Sequence, residues 1–183
     1  MGCLCSKAND IAKSTRFHLR YFYRGTSRCI PRSVQVSFEK MTHLKLSFCK
    51  IDELSKLRAK NGVSPLSSLV RLKSLNLSHN NIKDYKGLFS GLTVLANLEK
   101  IDLSYNSLTS MPECFLMLGN IKSLLLTSNK ITHSSGIDRL WSLEKLSLDG
   151  NQICTLKDVV GLSKLPCLMD LDVKENPLCK VSV

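Results

Sequence analysis

The sequence lacks the long apolar segments that membrane spans and secretory signals require. Among its 183 residues no run of 18 uncharged apolar residues occurs, which argues against a bilayer-spanning helix. The first 15 residues contain no continuous apolar core, so we expect no secretory signal peptide. The apolar residues, 43% of the chain, are dispersed, and they suffice for the core of one domain.

The chain also lacks the short motifs of metal and catalytic sites. Its eight cysteines include no C-x-x-C pair, which argues against a zinc site, and we expect reduced thiols in the cytosol. A phosphate loop, an H-E-x-x-H motif and a nucleophile elbow are all missing, and the four histidines are far apart in sequence. These absences predict a protein that is not an enzyme and that uses no metal, cofactor or small-molecule substrate.

Acidic residues are missing between residues 11 and 38, and the net charge of +11 is concentrated at this end of the chain. Residues 1–60 hold 13 Lys and Arg against 4 Asp and Glu, whereas residues 61–183 hold 13 against 11. We therefore divide the chain into a basic, aromatic N-terminal arm or cap, residues 1–40, and a repeat domain, residues 41–183, which is nearly neutral from residue 61 onwards.

Six segments of the repeat domain follow the pattern L-x-x-L-x-L-x-x-N-x-L, and they start at Met41, Leu72, Leu98, Ile121, Leu143 and Leu168. The alternation of apolar and polar residues predicts one short strand in each segment, and the strands are expected to stack in parallel. An asparagine follows five of the strands, and Cys49 takes its place in the first segment. At a sharp turn an amide can bond unpaired backbone groups, so stacking predicts a ladder of asparagines. Its members are Asn80, Asn106, Asn129, Asn151 and Asn176.

The return path between strands carries a second apolar series with a spacing of three to four residues. This spacing predicts short helices or 3-10 turns on the convex side, and a single coil needs its neighbours to bury both faces. Ser134 interrupts the series of the fourth repeat, where we expect poorer packing. The two series are Ile131, Ile137, Leu140, Leu143 and Ile153, Leu156, Val160, Leu165, Leu168.

These repeats resemble the short, cytosolic 22-residue class of leucine-rich repeat over about residues 41–178. The resemblance implies an α/β solenoid of about six repeats, with a curved parallel sheet on the concave side and short helices or 3-10 turns on the convex side.

The stretch from "LGNIKSL" to "LPCLMDLDVKENPL" is similar in more detail to nischarin-like proteins, which implies a cytosolic scaffold in signalling and cytoskeletal regulation. That family has a PX domain before the repeats and a long region after them. The closing "CKVSV" is too short for a capping helix, so we expect a fragment, a short isoform or an end covered by a partner.

The opening residues "MGCLCSKAND" contain the M-G-x-x-x-S signal for N-myristoylation. Gly2 is the predicted acceptor, and Cys3 and Cys5 are predicted sites of palmitate. This start resembles the doubly acylated N-termini of some membrane-attached kinases and G-protein subunits. Because one myristoyl chain binds a membrane only marginally, a second signal is needed, and the cysteines or the basic arm can supply it.

The arm interleaves aromatic residues with basic ones, and three interpretations remain open. It can face an anionic membrane, it can form the solvated face of a capping helix, or it can contact RNA. The basic residues in question are Lys13, Arg16, Arg20, Arg24, Arg28 and Arg32.

The outward positions of the strands predict a concave face that binds another protein. Phe48, His79, Tyr105 and Leu125 are its expected anchors, because interface energy concentrates in aromatic and apolar groups, although the arm can instead cover Phe48. The full set of candidate contact residues is Phe48, Asn76, His79, Asp102, Tyr105, Leu125, Asp149 and Asp172.

The sequence thus predicts a non-enzymatic, cytoplasmic scaffold that is peripheral at a membrane through lipid anchors. The alternative is a ribonucleoprotein component whose basic arm contacts RNA.

Overall fold

A computed structural model describes residues 16–18, 40–51, 69–84, 95–111, 119–137 and 139–180 of the chain. Its strands form one seven-stranded parallel sheet in which each strand pairs only with its neighbours in sequence. The predicted solenoid of stacked coils is confirmed by this order. The strands are β1 (Arg16–His18), β2 (His43–Lys45), β3 (Ser74–Asn76), β4 (Lys100–Asp102), β5 (Ser123–Leu125), β6 (Lys145–Ser147) and β7 (Asp170–Asp172).

The core lies behind this sheet and is built from the two apolar residues that each repeat directs inward. The middle residue of each strand and the residue two positions later are buried from β2 to β6, because alternate residues of a strand face opposite sides. In β7 the equivalent middle residue, Leu171, is 44% exposed. The buried pairs are Leu44 and Leu46, Leu75 and Leu77, Ile101 and Leu103, Leu124 and Leu126, and Leu146 and Leu148.

The convex side agrees with the sequence in the fourth repeat and differs in the fifth. Ile131, Ile137, Leu140 and Leu143 are all buried, as their spacing predicts. In the fifth repeat the expected packing of two residues is wrong, because Leu156 is 73% exposed and Val160 is 66% exposed.

The exposure of Val160 follows from the type of helix in the fifth repeat. Residues Leu156–Lys164 form a 3-10 helix, in which residues three apart lie on the same face. Val159, Leu162 and Leu165 have that spacing, and they pack against the core or are buried in it. Leu156, the first residue of the helix, has the same spacing, and its exposure is not explained by the helical period. A second 3-10 helix covers Pro177–Lys180.

Ser134 occupies a tight position between the fourth and fifth repeats. It is 1% exposed, and its backbone N–H donates to the Asp158 carbonyl of the next coil at 2.7 Å. A Cβ atom on Gly161 would lie 3.7 Å from the Ser134 hydroxyl oxygen, an ordinary van der Waals distance. The small serine lets the 3-10 helix approach, but an open groove lined by Ser134, Asp158 and Gly161 remains between the two coils, which agrees with the poorer packing expected there.

Strand β1 lies within the segment that the sequence predicts as an arm. It pairs with β2 in parallel, with Phe17 opposite Leu44, so the sheet begins before the boundary placed at residue 41. Phe17 therefore stands at the register position that leucine or isoleucine holds in β2 to β7.

None of the helices in the described part of the chain has the length and apolar character that crossing a membrane would require.

Candidate interaction surface at the strand ends

The five asparagines form one continuous file along the ends of strands β3 to β7. Asn129 shows the arrangement: its Oδ1 accepts from the Leu108 N–H of the preceding coil at 3.1 Å. Its Nδ2 donates to the carbonyls of Leu103, in the preceding coil, and Leu126, in its own coil, both at 3.0 Å. Asn80, Asn106, Asn151 and Asn176 repeat these contacts at 2.8 to 3.1 Å. Each amide thus ties two coils together where the chain turns.

The residue before each asparagine, and before Cys49, has a left-handed backbone with a φ of 54° to 63°. Only glycine enters this region without cost, and other residues cost roughly 1 kcal/mol or more. At five of the six positions the amide bonds of the following asparagine offset that cost and fix the conformation, and after Phe48 the N–H of Cys49 donates to Asn80 Oδ1 at 3.0 Å. We call these six residues the left-handed column: Phe48, His79, Tyr105, Ser128, Gly150 and Glu175.

The first three side chains of the left-handed column form an aromatic stack. The ring centroids of Phe48 and His79 are 4.2 Å apart with an interplanar angle of 9°, and those of His79 and Tyr105 are 4.2 Å apart at 7°. Equal backbone angles direct the rings the same way, and parallel strands about 4.8 Å apart set their spacing. Phe48 remains 40% exposed and Tyr105 50% exposed, so the stack presents aromatic surface to solvent.

Asn76 and Asp102, also predicted as contact residues, are engaged with the sheet itself. Asn76 Nδ2 donates to Asp102 Oδ2 at 2.8 Å. Asn76 Oδ1 accepts from the backbone N–H and the hydroxyl of Ser78 at 3.0 and 2.8 Å, and Asp102 Oδ1 accepts from the Ser104 N–H at 3.0 Å. These side chains bridge two repeats and hold the strand ends, so their first role is to shape the surface.

The remaining candidates lie towards the C-terminal repeats. Leu125 is half-buried on β5. Asp172 accepts from the Lys174 N–H at 3.1 Å and pairs with the Lys174 ammonium group at 3.4 Å. These contacts, the backbone hydrogen bond first, lower the pKa of Asp172 below its ordinary value of 3.8. Asp149 differs, because its Oδ1 is buried and no donor from the described residues reaches it.

The charges of this face are paired unevenly. Lys145 forms an ion pair with Asp170, and Lys174 with Asp172. The other ion pairs of the described part, Lys73 with Glu99 and Lys122 with Glu144, precede the strands and are exposed. Each such exposed pair contributes little stability. No ion pair of the described residues uses Asp149 or Glu175.

The predicted lipidation and arm residues fall almost entirely outside the described residues. Arg16 lies in β1. The others, outside the described ranges, are Gly2, Cys3, Cys5, Lys13, Arg20, Arg24, Arg28 and Arg32. Cys154, Cys167 and Cys179 are exposed thiols outside any disulfide. Within the same described ranges no cluster of three His, Cys, Asp or Glu side chains could hold a metal ion.

The stacked parallel strands and the asparagine file define the class of this molecule. A family model described as "Leucine rich repeat" matches residues 96–153, and one described as "Leucine Rich repeats (2 copies)" matches residues 70–113. The chain is therefore a leucine-rich repeat protein. The finer likeness to nischarin-like proteins stays a prediction.

Two curated relatives and one solved structure show the range of proteins that share these repeats. The human Serine/threonine-protein kinase 11-interacting protein is 31% identical over 155 residues, which cover 80% of this chain and 14% of that protein. Tubulin-folding cofactor E of Arabidopsis thaliana is 29% identical over 176 residues, which cover 79% and 32%. An internalin C2 of Listeria monocytogenes has a TM-score of 0.58 at 26% identity, with 78% of this chain and 56% of that chain covered. The chain thus spans less than a third of either curated relative.

Proposed function

We propose that this chain is a non-enzymatic protein-binding scaffold that acylation of its N-terminus tethers to a membrane. The observation that carries the binding role is the aromatic stack, which holds three rings in fixed geometry at the open strand ends. Rigid, half-exposed aromatic groups concentrate binding energy in protein interfaces. Leucine-rich repeat solenoids are typically interaction modules, and the human relative is named for an interaction with a protein kinase.

The concave face around the stack is suited to a protein partner by its shape and composition. Ser47, Ser78, Ser104 and Thr127 line the strand ends beside the left-handed column, and such small side chains let another chain approach closely. The strands bring these residues into register across four repeats. An extended partner segment could therefore contact several coils at once without displacing a large side chain.

The tether follows from the sequence of the first six residues. Myristate on Gly2 would supply one marginal anchor, and palmitate on Cys3 or Cys5, or the basic arm on an anionic leaflet, would supply the second. Confinement at a membrane raises the effective concentration of the scaffold near membrane-bound partners.

The tether is tested by expressing the chain with its native start in cells supplied with labelled myristate. We expect incorporation and membrane fractionation for the wild type, loss of both for Gly2→Ala, and weaker fractionation for Cys3→Ser/Cys5→Ser. Gly119→Ala is the control, because a Cβ there meets nothing within 4 Å. Equal solubility of the wild type and Gly2→Ala would contradict the tether.

The binding role is tested by proximity labelling from the wild type and single variants. Tyr105→Ala should lose the labelled partners, whereas Trp141→Ala, which removes a 68% exposed aromatic side chain outside the stack, should keep them. Partners lost with Trp141→Ala and kept with Tyr105→Ala would refute a role for the aromatic stack. Salt-dependent RNA binding that disappears when arm arginines are replaced would favour the ribonucleoprotein alternative.

A further inference from the structure

The left-handed column changes abruptly after Tyr105, from three rings to two residues with almost no side chain. Ser128 and Gly150 occupy the next two coils, and Glu175 ends the column. One ring face of Tyr105 is covered by His79 at 4.2 Å, and the other is turned along the column towards Ser128. With coils about 4.8 Å apart, the two small residues leave room for about two more stacked planar groups.

The floor of this gap is fixed by the backbone. Gly150 has a φ of 63°, and a Cβ added to it would lie 3.2 Å from the Ser128 hydroxyl oxygen. The Ser128 N–H donates to the Asp149 carbonyl at 2.8 Å, and the Gly150 N–H donates to the Lys174 carbonyl at 2.9 Å. The gap therefore has a rigid floor rather than side chains that could fold into it.

A carboxylate borders the same gap. Asp149 precedes Gly150 in the chain, and its buried Oδ1 accepts no hydrogen bond from the described residues. Asp149 Oδ1 itself is enclosed by the protein, whereas Oδ2 is not among the buried side-chain atoms, so a cationic donor in the gap would reach the carboxylate through Oδ2. Glu175 adds a second negative charge at the far end of the column, whereas the nearby Asp172 already has Lys174.

We infer that this gap, bounded by Tyr105, Asp149 and Glu175, is a slot for the guanidinium group of an arginine presented by a partner protein. A guanidinium is planar, so it extends the stack on Tyr105, and its forked donors match a carboxylate. A lysine ammonium group lacks the plane, and a phenyl ring lacks the charge. The inference deepens the proposed protein-binding role and rests on it.

The slot is tested by nuclear magnetic resonance titration of the whole chain with N-acetylarginine amide. Amide signals of Tyr105, Ser128 and Gly150 should shift in a saturable way. N-acetyllysine amide and N-acetylphenylalanine amide should bind at least about fivefold more weakly. Equal binding of the lysine derivative would overturn guanidinium recognition, and tighter binding of the phenylalanine derivative would make the slot a purely apolar one. Absence of saturable shifts with the arginine derivative would overturn the slot itself.

Variants that keep the fold sharpen the test. Asp149→Asn keeps the shape and removes the charge, so the affinity for the arginine derivative should fall about tenfold, the size of one charge-assisted hydrogen bond. Ser128→Tyr should continue the stack, as Tyr105 does at an equivalent φ, and block the slot. Glu144→Gln removes one negative charge from an exposed ion pair elsewhere and should leave the affinity unchanged. An unchanged affinity in Asp149→Asn, with its spectrum still dispersed, would refute the assignment of this carboxylate.

Failure of the slot and failure of the proposed function are distinguishable. If Tyr105→Ala loses its proximity-labelled partners while the arginine derivative does not bind, the binding face stands and the slot is wrong. If Tyr105→Ala keeps all partners, the proposed role of the stack fails.

Discussion

At the residue scale, the side-chain amide of the asparagine at each strand end has the donors and the acceptor that the surrounding backbone groups require. Its amide supplies donors and an acceptor at a place where backbone groups of two coils need partners. Leu108 shows this most clearly, because its buried N–H has Asn129 Oδ1 as its acceptor. The carbonyls of Leu103 and Leu126 each accept from two asparagines of the file, so they are less dependent on any one of them.

Asn129→Ala therefore removes the acceptor of one buried donor and one of two donors from each of two carbonyls. We expect the free energy of unfolding to fall by about 2 kcal/mol, measured by chemical denaturation. Asn120→Ala is the matched control, because Asn120 is exposed and makes one bond, to the Ala96 carbonyl at 2.6 Å. It should cost about 0.5 kcal/mol or less. Similar losses in both variants would show that the ladder position contributes nothing special.

Glycine at position 150 is explained by its backbone rather than by its packing alone. Gly150→Ala places a Cβ on a residue with a φ of 63°, 3.2 Å from the Ser128 hydroxyl oxygen. We expect a loss of about 1 kcal/mol in the free energy of unfolding. Gly119→Ala, which meets nothing within 4 Å and has no left-handed backbone, should change stability by about 0.5 kcal/mol at most. A neutral Gly150→Ala would mean that the turn relaxes without cost.

At the element scale, the first turn of the 3-10 helix at Leu156–Lys164 is capped by the carboxylate of Asp158. Asp158 Oδ2 accepts from the backbone N–H of Thr155 at 2.8 Å, from its hydroxyl at 3.0 Å and from the Cys154 N–H at 3.2 Å. These hydrogen bonds, that of the Thr155 N–H first, lower the pKa of Asp158 below 3.8. The folded state therefore favours the carboxylate.

The lowered pKa of Asp158 determines how its contribution to the free energy of unfolding changes with pH. The contribution of Asp158 is present above its unfolded pKa and is lost as the pH falls through 3.8 towards the lower folded value. We expect the stability difference between the wild type and Asp158→Asn to shrink as the pH is lowered from 7 to 3, measured by thermal unfolding. Ser163→Ala, which removes a hydroxyl of the same helix without a titrating group, should show a constant difference. A difference that widens in acid would contradict the capping role.

The same helix shows what the sequence could not predict. Apolar residues recur there at spacings that suit either a 3.6-residue or a 3-residue period, and the expected series included Leu156 and Val160. The 3-10 period turns Val159 and Leu162 inward and Val160 outward, whereas Leu156 shares the spacing of Val159 and is still exposed. Strand β1 was missed for a different reason, since its segment has no asparagine after the strand. The alternation of Phe17 and Leu19 was the one signal that could have indicated it.

At the scale of the whole molecule, the repeat pattern predicted the parallel sheet. Each coil can bury its apolar residues only against a neighbouring coil, and the apolar pattern occurs six times in succession. The aromatic stack was predicted only in part. Phe48, His79 and Tyr105 could be named from their positions. Their parallel stacking depends on the left-handed backbone, and the residue types at these positions do not predict that conformation. The absence of a donor for Asp149 Oδ1 among the described residues also had no sequence signal, because it depends on which groups of other coils reach it.

Stability in such a solenoid is expected to be a sum of neighbour interactions, so the effect of one substitution depends on how many coils cover it. Leu124 on β5 is fully buried, whereas Leu171, at the equivalent place on β7, is 44% exposed. Leu124→Ala should lower the free energy of unfolding by about 3 kcal/mol, and Leu171→Ala by about 1 kcal/mol. Hydrogen exchange should accelerate in both β4 and β6 for Leu124→Ala, but chiefly in β6 and β7 for Leu171→Ala. Exchange that rises uniformly in both variants would show a single all-or-none core instead of coils coupled to their neighbours.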